Sequence, residues 1–394
     1  MKNFNYNKPA FSLTSRFGFP EALGQVALVV GLAFALPACG GAGVNAEGAE
    51  ASMTGSSSAS AVSPQLNAGT SVVSNVSNPA VSIPVTNTDP VVAGQPVITP
   101  NTTGSGRGFP VAGPWASFYG SVSKVDLAKL ALTYRIFDID ADPDMGNFTP
   151  ASIKTLQNGG QNKVLSYFNL GSCENYRGFW SSVPSGFVSC SANRAAQLGT
   201  YSGYSDEVWM NLGNADYQNL IINYVAPRLV AQGVDGFYFD NFEIVEHGTN
   251  TSNGPCDAQC SQGGLNLIAK LRDKYPNLLF VMQNATSDKT RLGTATGASG
   301  NVAFPSLLDG VAHEEVYKPT FDRGVEAELV KWSSMNLKPG GRPFWIATLD
   351  YVGSCSNTTD AQIAFQSSRA RGFSPSVSDA SASQQTVCYW PSNF

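Results

Sequence analysis

From Pro114 onward, short apolar runs alternate with stretches whose apolar residues recur at helical spacing. Runs rich in β-branched and aromatic residues, bounded by Gly, Pro, Asn and Asp, read as strands. The pattern predicts strands over Trp115–Tyr119, Ala131–Phe137, Lys163–Phe168, Gly236–Phe239, Leu278–Met282, Leu308–His313, Phe344–Leu349 and Phe373–Val377. Helices are expected over Pro150–Leu156, Asn214–Gln232, Cys260–Tyr275, Thr320–Met335 and Ala361–Arg371. Thr149 reads as an N-cap with Pro150 in the first helical position, where its missing N–H costs nothing. Strands that alternate with helices imply a parallel sheet. Eight of them over about 280 residues match an α/β fold of the (β/α)8 TIM-barrel type. An open doubly wound sheet fits less well, because no Gly-rich phosphate turn follows the first strand.

The first third of the chain has a different texture. Lys2, Lys8 and Arg16 precede an apolar stretch, Val26–Ala35, too short for a permanent bilayer span. It runs into Leu36-Pro-Ala-Cys39-Gly40, which resembles the lipobox of bacterial lipoproteins. Residues 1–38 therefore read as a lipoprotein signal peptide, preferred over an ordinary secretory signal. Residues 39–110 are Ser, Ala, Val, Asn, Thr, Pro and Gly with almost no aromatics, a composition that cannot bury enough to fold. They read as a flexible linker. Residues 111–394 form the working domain.

Cysteine usage agrees with export. The chain has 7 cysteines, and an odd one needs an explanation in an oxidising compartment. Lipidation of Cys39 supplies it. Sequence proximity favours pairing Cys173 with Cys190 and Cys256 with Cys260, leaving Cys355 with Cys388. With 2 histidines and no pair of close CxxC motifs, a zinc site is disfavoured, and no metal or cofactor is expected. The net charge of −5 and the lack of a basic run make nucleic acid a poor partner.

The acids are not spread evenly. Asp138, Asp140, Glu174, Asp240, Glu243, Glu314, Glu315, Asp350 and Asp379 each fall just past or at the end of a predicted strand. In a barrel those ends converge on one face. Asp140, Glu243, Glu315 and Asp379 read equally well as caps of following helices. Crowded carboxylates raise one another's pKa, which provides an acid and a base at neutral pH. Two carboxyl groups flanking a scissile bond are what a glycosidase needs. Asp240 and Glu314 end the fourth and sixth strands and make the candidate catalytic pair, Asp240 as nucleophile and Glu314 as acid/base. That assignment rests on Asn241 beside Asp240, a donor able to keep a carboxylate ionised, and on Glu315 beside Glu314; exchanged roles and an inverting mechanism stay open as alternatives. Aromatics near the rim could stack on sugar faces. The expected ligand-facing set is Tyr119, Asp138, Tyr167, Glu174, Arg177, Trp209, Asn241, Gln283, Asn284, Tyr317, Asp350 and Tyr351. Ser-His-Asp chemistry has only His247 and His313 to draw on, with no GxSxG elbow nearby.

Several segments carry a resemblance. They are Arg135-Ile-Phe-Asp-Ile-Asp140, Val164-Leu-Ser-Tyr-Phe-Asn-Leu-Gly-Ser-Cys-Glu-Asn-Tyr-Arg177, Glu207-Val-Trp-Met-Asn-Leu212, Val234–Asn241, Leu308-Asp-Gly-Val-Ala-His-Glu314, Leu349-Asp-Tyr-Val352 and Arg371–Asp379. In this order they resemble glycoside hydrolase family 114, the endo-α-1,4-polygalactosaminidases and their bacterial barrel relatives. Departures occur at Asn211, where the family often has Asp, and at Phe242-Glu243. The resemblance implies Asp240 and Glu314 as the catalytic carboxylates. It implies a cationic galactosamine-containing exopolysaccharide as substrate; the alternatives are a catalytically silent polysaccharide-binding lipoprotein and a glycosidase of other specificity. The protein is expected as a monomer on the bacterial cell envelope, held to the membrane by its N-terminal lipid.

Replacing Cys39 by Ser should leave the protein exported but unlipidated, so that detergent fractionation moves it from the membrane to the soluble fraction. Unchanged membrane retention with an unmodified wild-type N-terminus would remove the lipid anchor from the picture.

Overall fold

The structure is a computed structural model that describes residues 108–109, 113–379 and 384–394. The expected signal peptide, Cys39 and nearly all of the expected linker lie outside the described residues. Eight parallel strands hydrogen-bond in chain order: β1 (Trp115–Phe118), β2 (Ile136–Ile139), β3 (Lys163–Asn169), β4 (Gly236–Asp240), β5 (Leu279–Gln283), β6 (Gly310–Glu314), β7 (Trp345–Tyr351) and β8 (Ser374–Ser378). The β8 end returns to β1, where Trp115 Nε1 donates to Ser374 O at 2.9 Å. Helices lie between the strands, so the sheet curls into a nearly closed (β/α)8 barrel.

Side-chain parity along each strand decides which residues reach the barrel interior. Trp115, Ile136, Leu165, Leu279, Val281, Ala312, Trp345 and Ala347 pack together inside. Phe237, Phe239, Phe280, Met282, Val311 and Ile346 belong to the cluster shared with the outer helices. The lower interior is therefore apolar, with the Phe109 and Trp345 rings in tilted contact at 4.7 Å. Two residues further along the inward parity the composition changes to Ser117, Asp138, Tyr167, Asp240, Gln283, Glu314 and Ser376. The barrel is oily at its N-terminal end and polar at its C-terminal end.

Most predicted elements occur, with local differences. Thr149 caps helix Pro150–Gln157 through a reciprocal bond pair with Ser152. The run Ala131–Phe137 is not a strand throughout. Asp126 caps a helix over Leu127–Thr133, accepting from Lys129 N at 3.0 Å, and β2 starts only at Ile136. Leu130 and Ala131 are buried while Leu132 is 74% exposed, a helical rather than an alternating pattern. The expected helix over Asn214–Gln232 is present as Ala215–Leu220 and Ala226–Val230 with a π-helical turn, Ile221–Val225, between them. Pro227 accounts for that turn, since its ring clashes with a regular preceding turn and it has no N–H to offer. Two hairpins were not anticipated. Ser172–Glu174, Gln197–Tyr201 and Tyr204–Met210 form a three-stranded antiparallel sheet between β3 and β4. Thr294–Gly297 and Gly300–Ala303 form a second hairpin between β5 and β6.

The three disulfides are Cys173–Cys190, Cys256–Cys260 and Cys355–Cys388, the pairing favoured by proximity in sequence. Among the described residues no helix is long and apolar enough to cross a membrane.

Near the oily end one ion pair is fully buried. Asp309 accepts from Arg272 Nη2 at 2.7 Å and from Phe280 N at 2.9 Å, while Arg272 also donates to Leu307 O and Leu278 O. This clamp joins β5, the entry to β6 and the helix Ala258–Lys274. Asp309→Ala would leave a guanidinium buried without its partner, a change that costs about 3–5 kcal/mol. Urea unfolding checks it; a loss below about 1 kcal/mol, as for a surface pair, would contradict the role.

Candidate active site

Three neighbouring strands end in the same way. Asn241 after β4, Asn284 after β5 and Glu315 after β6 all adopt left-handed backbone, with φ of 56°, 62° and 53°. Asn tolerates this conformation; for Glu it costs roughly 1–2 kcal/mol. The kinks stop the strands abruptly and leave Asp240, Gln283 and Glu314 as the last inward-facing side chains. Gly171 lets the loop after β3 pass over the β4 kink, since a Cβ there would sit 1.7 Å from Asn241 O.

Glu314 is held by its neighbours. Asn284 Nδ2 donates to Oε2 at 3.0 Å, and Asn284 Oδ1 accepts from Glu314 N at 3.1 Å. The Tyr351 hydroxyl donates to Oε1, and Gln384 Nε2 approaches the same oxygen at 3.3 Å. Asp240 is 9% exposed and shapes the groups around it. Burial raises the hydroxyl pKa of Tyr119, Tyr167, Tyr238 and Tyr201, and the Asp240 carboxylate adds to each. Burial also pushes Glu243 well above the usual carboxylate range, with Asp240 and then Glu314 reinforcing it. Asp138 is fully buried and accepts from Ser117 Oγ at 2.8 Å and Tyr119 OH at 2.5 Å. Burial raises it strongly; the two hydroxyls oppose the shift, and Asp240 and Asp140 add to it.

Several buried polar atoms at this end have no hydrogen-bond partner among the described residues. They include Asp138 Oδ1, Tyr238 OH, Glu243 Oε2 and Gln283 Oε1. A buried polar group without a partner costs about 1–3 kcal/mol. Their concentration beside Asp240 and Glu314 marks a surface shaped for a polar ligand.

Of the expected ligand-facing residues, the structure brings Tyr119, Asp138, Tyr167, Gln283, Asn284 and Tyr351 around the pair. Others are turned to different tasks. Glu174 is 2% exposed and takes Arg177 Nε at 2.6 Å together with the Tyr167 and Tyr176 hydroxyls. Arg177 also reaches Asp140 at 3.0 Å and Asp142 at 3.5 Å, so this cation is already neutralised. Asn241 spends both amide hydrogens on Ser172 Oγ and Glu207 Oε2, at 2.9 and 3.0 Å. It therefore does not supply the donor to Asp240 expected from its position in the chain. Trp209 is fully buried, stacked on Tyr201 at 4.1 Å and bonded to Asn253, and is no sugar platform. Asp350 follows the outward parity of Ile346 and Thr348 and accepts from Tyr317 N at 2.6 Å and Lys318 N at 2.8 Å. Tyr317 stacks on Phe321 and bonds Glu326 on the outer wall. Tyr317 belongs to the loop after β6, and Asp350 on β7 holds that loop from outside the mouth.

Sequence reasoning missed Tyr238, Glu207 and Gln384 as site residues. Tyr238 was open to detection, since it lies two residues before Asp240 on the same strand and so shares its face. Glu207 accepts from Ser172, Asn169 and Asn241 and ties the three-stranded sheet to the ends of β3 and β4. It depended on a hairpin that was not foreseen. Among the described residues no group of three or more His, Cys, Asp or Glu side chains could hold a metal ion.

The family model described as Glycoside-hydrolase family GH114 matches residues 99–393. Among solved structures, a variant of the glycoside hydrolase domain of PelA from Pseudomonas aeruginosa is similar at a TM-score of 0.50 and 15% identity, covering 70% of this chain and 96% of that one. This likeness supports the barrel fold. The maltogenic α-amylase AmyB from Thermotoga neapolitana matches with a TM-score of 0.37 and 10% identity, over 68% of this chain and 67% of that one. No curated protein matches in sequence.

The buried acids make stability depend on pH. Burial lifts Asp350 from the ordinary 3.8 to about 7, and Glu246 and Glu315 from 4.5 to about 7. Glu314 adds to the shift of Glu315, and hydrogen bonds from Ser287 and Thr290 oppose that of Glu246. In the folded state these groups hold protons that the unfolded chain has already lost. Unfolding therefore releases protons, and stability falls as pH rises from about 4 to about 7, levelling off above. Urea midpoints measured across that range should decrease steadily; a rise would show that these acids do not govern the pH response.

Proposed function

Since the chain belongs to glycoside-hydrolase family GH114 and is thereby a glycoside hydrolase, we propose that its barrel mouth cleaves an α-1,4-linked, galactosamine-rich polysaccharide with Asp240 and Glu314 as the acting carboxylates. The observation that carries this reading is their placement. Both are the last inward-facing residues of separate strands, β4 and β6, and Glu243 and Tyr238 feel the charge of both. Hydrolysis needs one carboxyl to protonate the leaving glycosidic oxygen. It needs a second to attack the anomeric carbon or to activate water. The Tyr351, Asn284 and Gln384 contacts fix the direction of the Glu314 carboxylate, so little reorganisation is needed when charge develops.

The preference for an amino sugar rests on electrostatics. The mouth collects Asp138, Asp240, Glu243, Glu314 and Glu315, and Arg177, the nearby cation, is spent on Asp140, Asp142 and Glu174. A low-dielectric concavity of carboxylates attracts cationic ligands, and the free amine of galactosamine is such a group. In this reading the enzyme is a monomer held to the cell envelope by lipid on Cys39, and it acts on exopolysaccharide.

Incubated with aminated and neutral polysaccharides, the protein should release oligosaccharides from the aminated ones. Asp240→Asn and Glu314→Gln should each reduce turnover by about 10²–10⁴-fold while sugar binding persists. With azide as the added nucleophile, the glycosyl azide formed by a retaining enzyme assigns the two roles: its anomeric configuration is inverted in the variant that lacks the nucleophile and retained in the variant that lacks the acid/base. Near wild-type rates in either variant would remove that residue from the mechanism. Release from neutral glycans only would overturn the amino-sugar preference.

A further inference from the structure

The chain continues past β8, and its last segment supplies a residue to the mouth. Gln384 is 2% exposed and touches the ends of three strands. Its carbonyl accepts from Tyr119 N at 2.9 Å, beyond β1. Its Nε2 donates to the Tyr351 hydroxyl at 2.6 Å, on β7, and lies 3.3 Å from Glu314 Oε1, on β6. The backbone is left-handed there, with φ 48°, an uncommon state for Gln that the surroundings must enforce. Three ties hold the segment in place, and none of them involves Glu314. They are the Cys355–Cys388 disulfide, the Tyr134 hydroxyl on Cys388 O at 2.7 Å, and Trp390 Nε1 on Val377 O at 2.8 Å.

The direction of these bonds follows from proton counting. Tyr351 has one hydroxyl hydrogen and gives it to Glu314. Its oxygen must then receive the hydrogen from Gln384, so the amide nitrogen faces the phenol. A second amide hydrogen remains for Glu314 itself.

We infer that Gln384 is a positioning residue for hydrolysis: its amide orients the Tyr351 hydroxyl toward Glu314, and the Cys355–Cys388 bridge keeps it there. The inference rests on the assignment of Glu314 as an acting carboxylate. Other groups also face Glu314. Tyr238 comes from β4 and Glu243 from the loop behind it. His313 and Glu315 flank it in sequence, and Asn284 comes from the end of β5. A substitution at Gln384 leaves all of these in place.

The test uses the full-length protein and a polysaccharide it cleaves. Gln384→Met keeps bulk and removes both donors; Gln384→Glu replaces them with a negative charge. Gln384→Met should lower kcat by about tenfold or more, the scale of a hydrogen bond to a charged group. KM should stay within about twofold, since the bond serves the reacting state. Loss of the donors favours protonated Glu314, so the limb of the pH–rate profile that Glu314 governs should move to higher pH, whether it acts as acid or base. Gln384→Glu should shift the same limb further. The double variant Cys355→Ser/Cys388→Ser, which frees the segment without touching the mouth, should move kcat and the limb in the same direction and carries the test if the Gln384 variants do not fold. Unchanged kcat and unchanged pH limbs in folded variants would overturn the inference. So would a lowered melting temperature with an unaltered pH profile, which marks a structural role only. An inactive Glu314→Gln beside a wild-type-like Gln384→Met defeats this inference alone. A fully active Glu314→Gln defeats it together with the catalytic assignment.

Discussion

The two-residue period of the β-strand is the constraint on which this molecule depends. In a closed barrel each strand sends alternate side chains into one confined space, and that space has an oily end and a polar end. Asp138, Asp240, Gln283 and Glu314 share the inward parity of Ile136, Tyr238, Val281 and Ala312. One residue of slippage in any strand would bury a different side chain and turn an acid into the helical layer. Asp350 shows the consequence: its parity is outward, and it holds the loop after β6 where Glu314 meets the mouth.

Concentrating carboxylates at low dielectric carries a cost, and the surrounding structure shows how it is spread. Side-chain hydroxyls and amides satisfy part of each acid: Ser117 and Tyr119 on Asp138, Asn284 and Tyr351 on Glu314. Past the ends of β2 and β3, Arg177 neutralises Asp140, Asp142 and Glu174. What remains without a partner among the described residues, Glu243 Oε2 and Asp138 Oδ1 included, lies where the sugar is proposed to bind. A site left short of partners is less stable than it could be, and such strain gathers where function needs it.

Rigidity comes from outside the barrel strands. Glu207 ties the three-stranded sheet after β3 to Asn169, Ser172 and Asn241 at the rim. The Cys173–Cys190 and Cys355–Cys388 bridges fasten that sheet and the C-terminal segment near the strand ends. These additions sit on the C-terminal face, where barrel enzymes place their chemistry.

Much of the fold was legible in the chain, because apolar periodicity and strand-ending acids are local properties. Seven of the eight strands were placed within a residue or two, and all three disulfide pairings followed from proximity. The second strand was misplaced because the apolar run Ala131–Phe137 joins the last turn of one helix to the start of β2. Asp240 and Glu314 were legible as strand-end acids with family motifs around them. Trp209, Glu174, Tyr317 and Asp350 were misread as ligand-facing, because whether an aromatic or an acid near a rim points in or out depends on parity and on what packs over it. Gln384 left no local signal at all. It follows β8 by several residues and reaches Glu314, 70 positions earlier, only because the barrel closes and a disulfide turns the chain end back over the mouth. Sequence by itself determined the order of strands and helices and the acids at their ends, since these depend on neighbours along the chain. Tertiary structure decided which of those acids meet and which outside residues hold them, since that depends on groups far apart in sequence sharing one enclosed space.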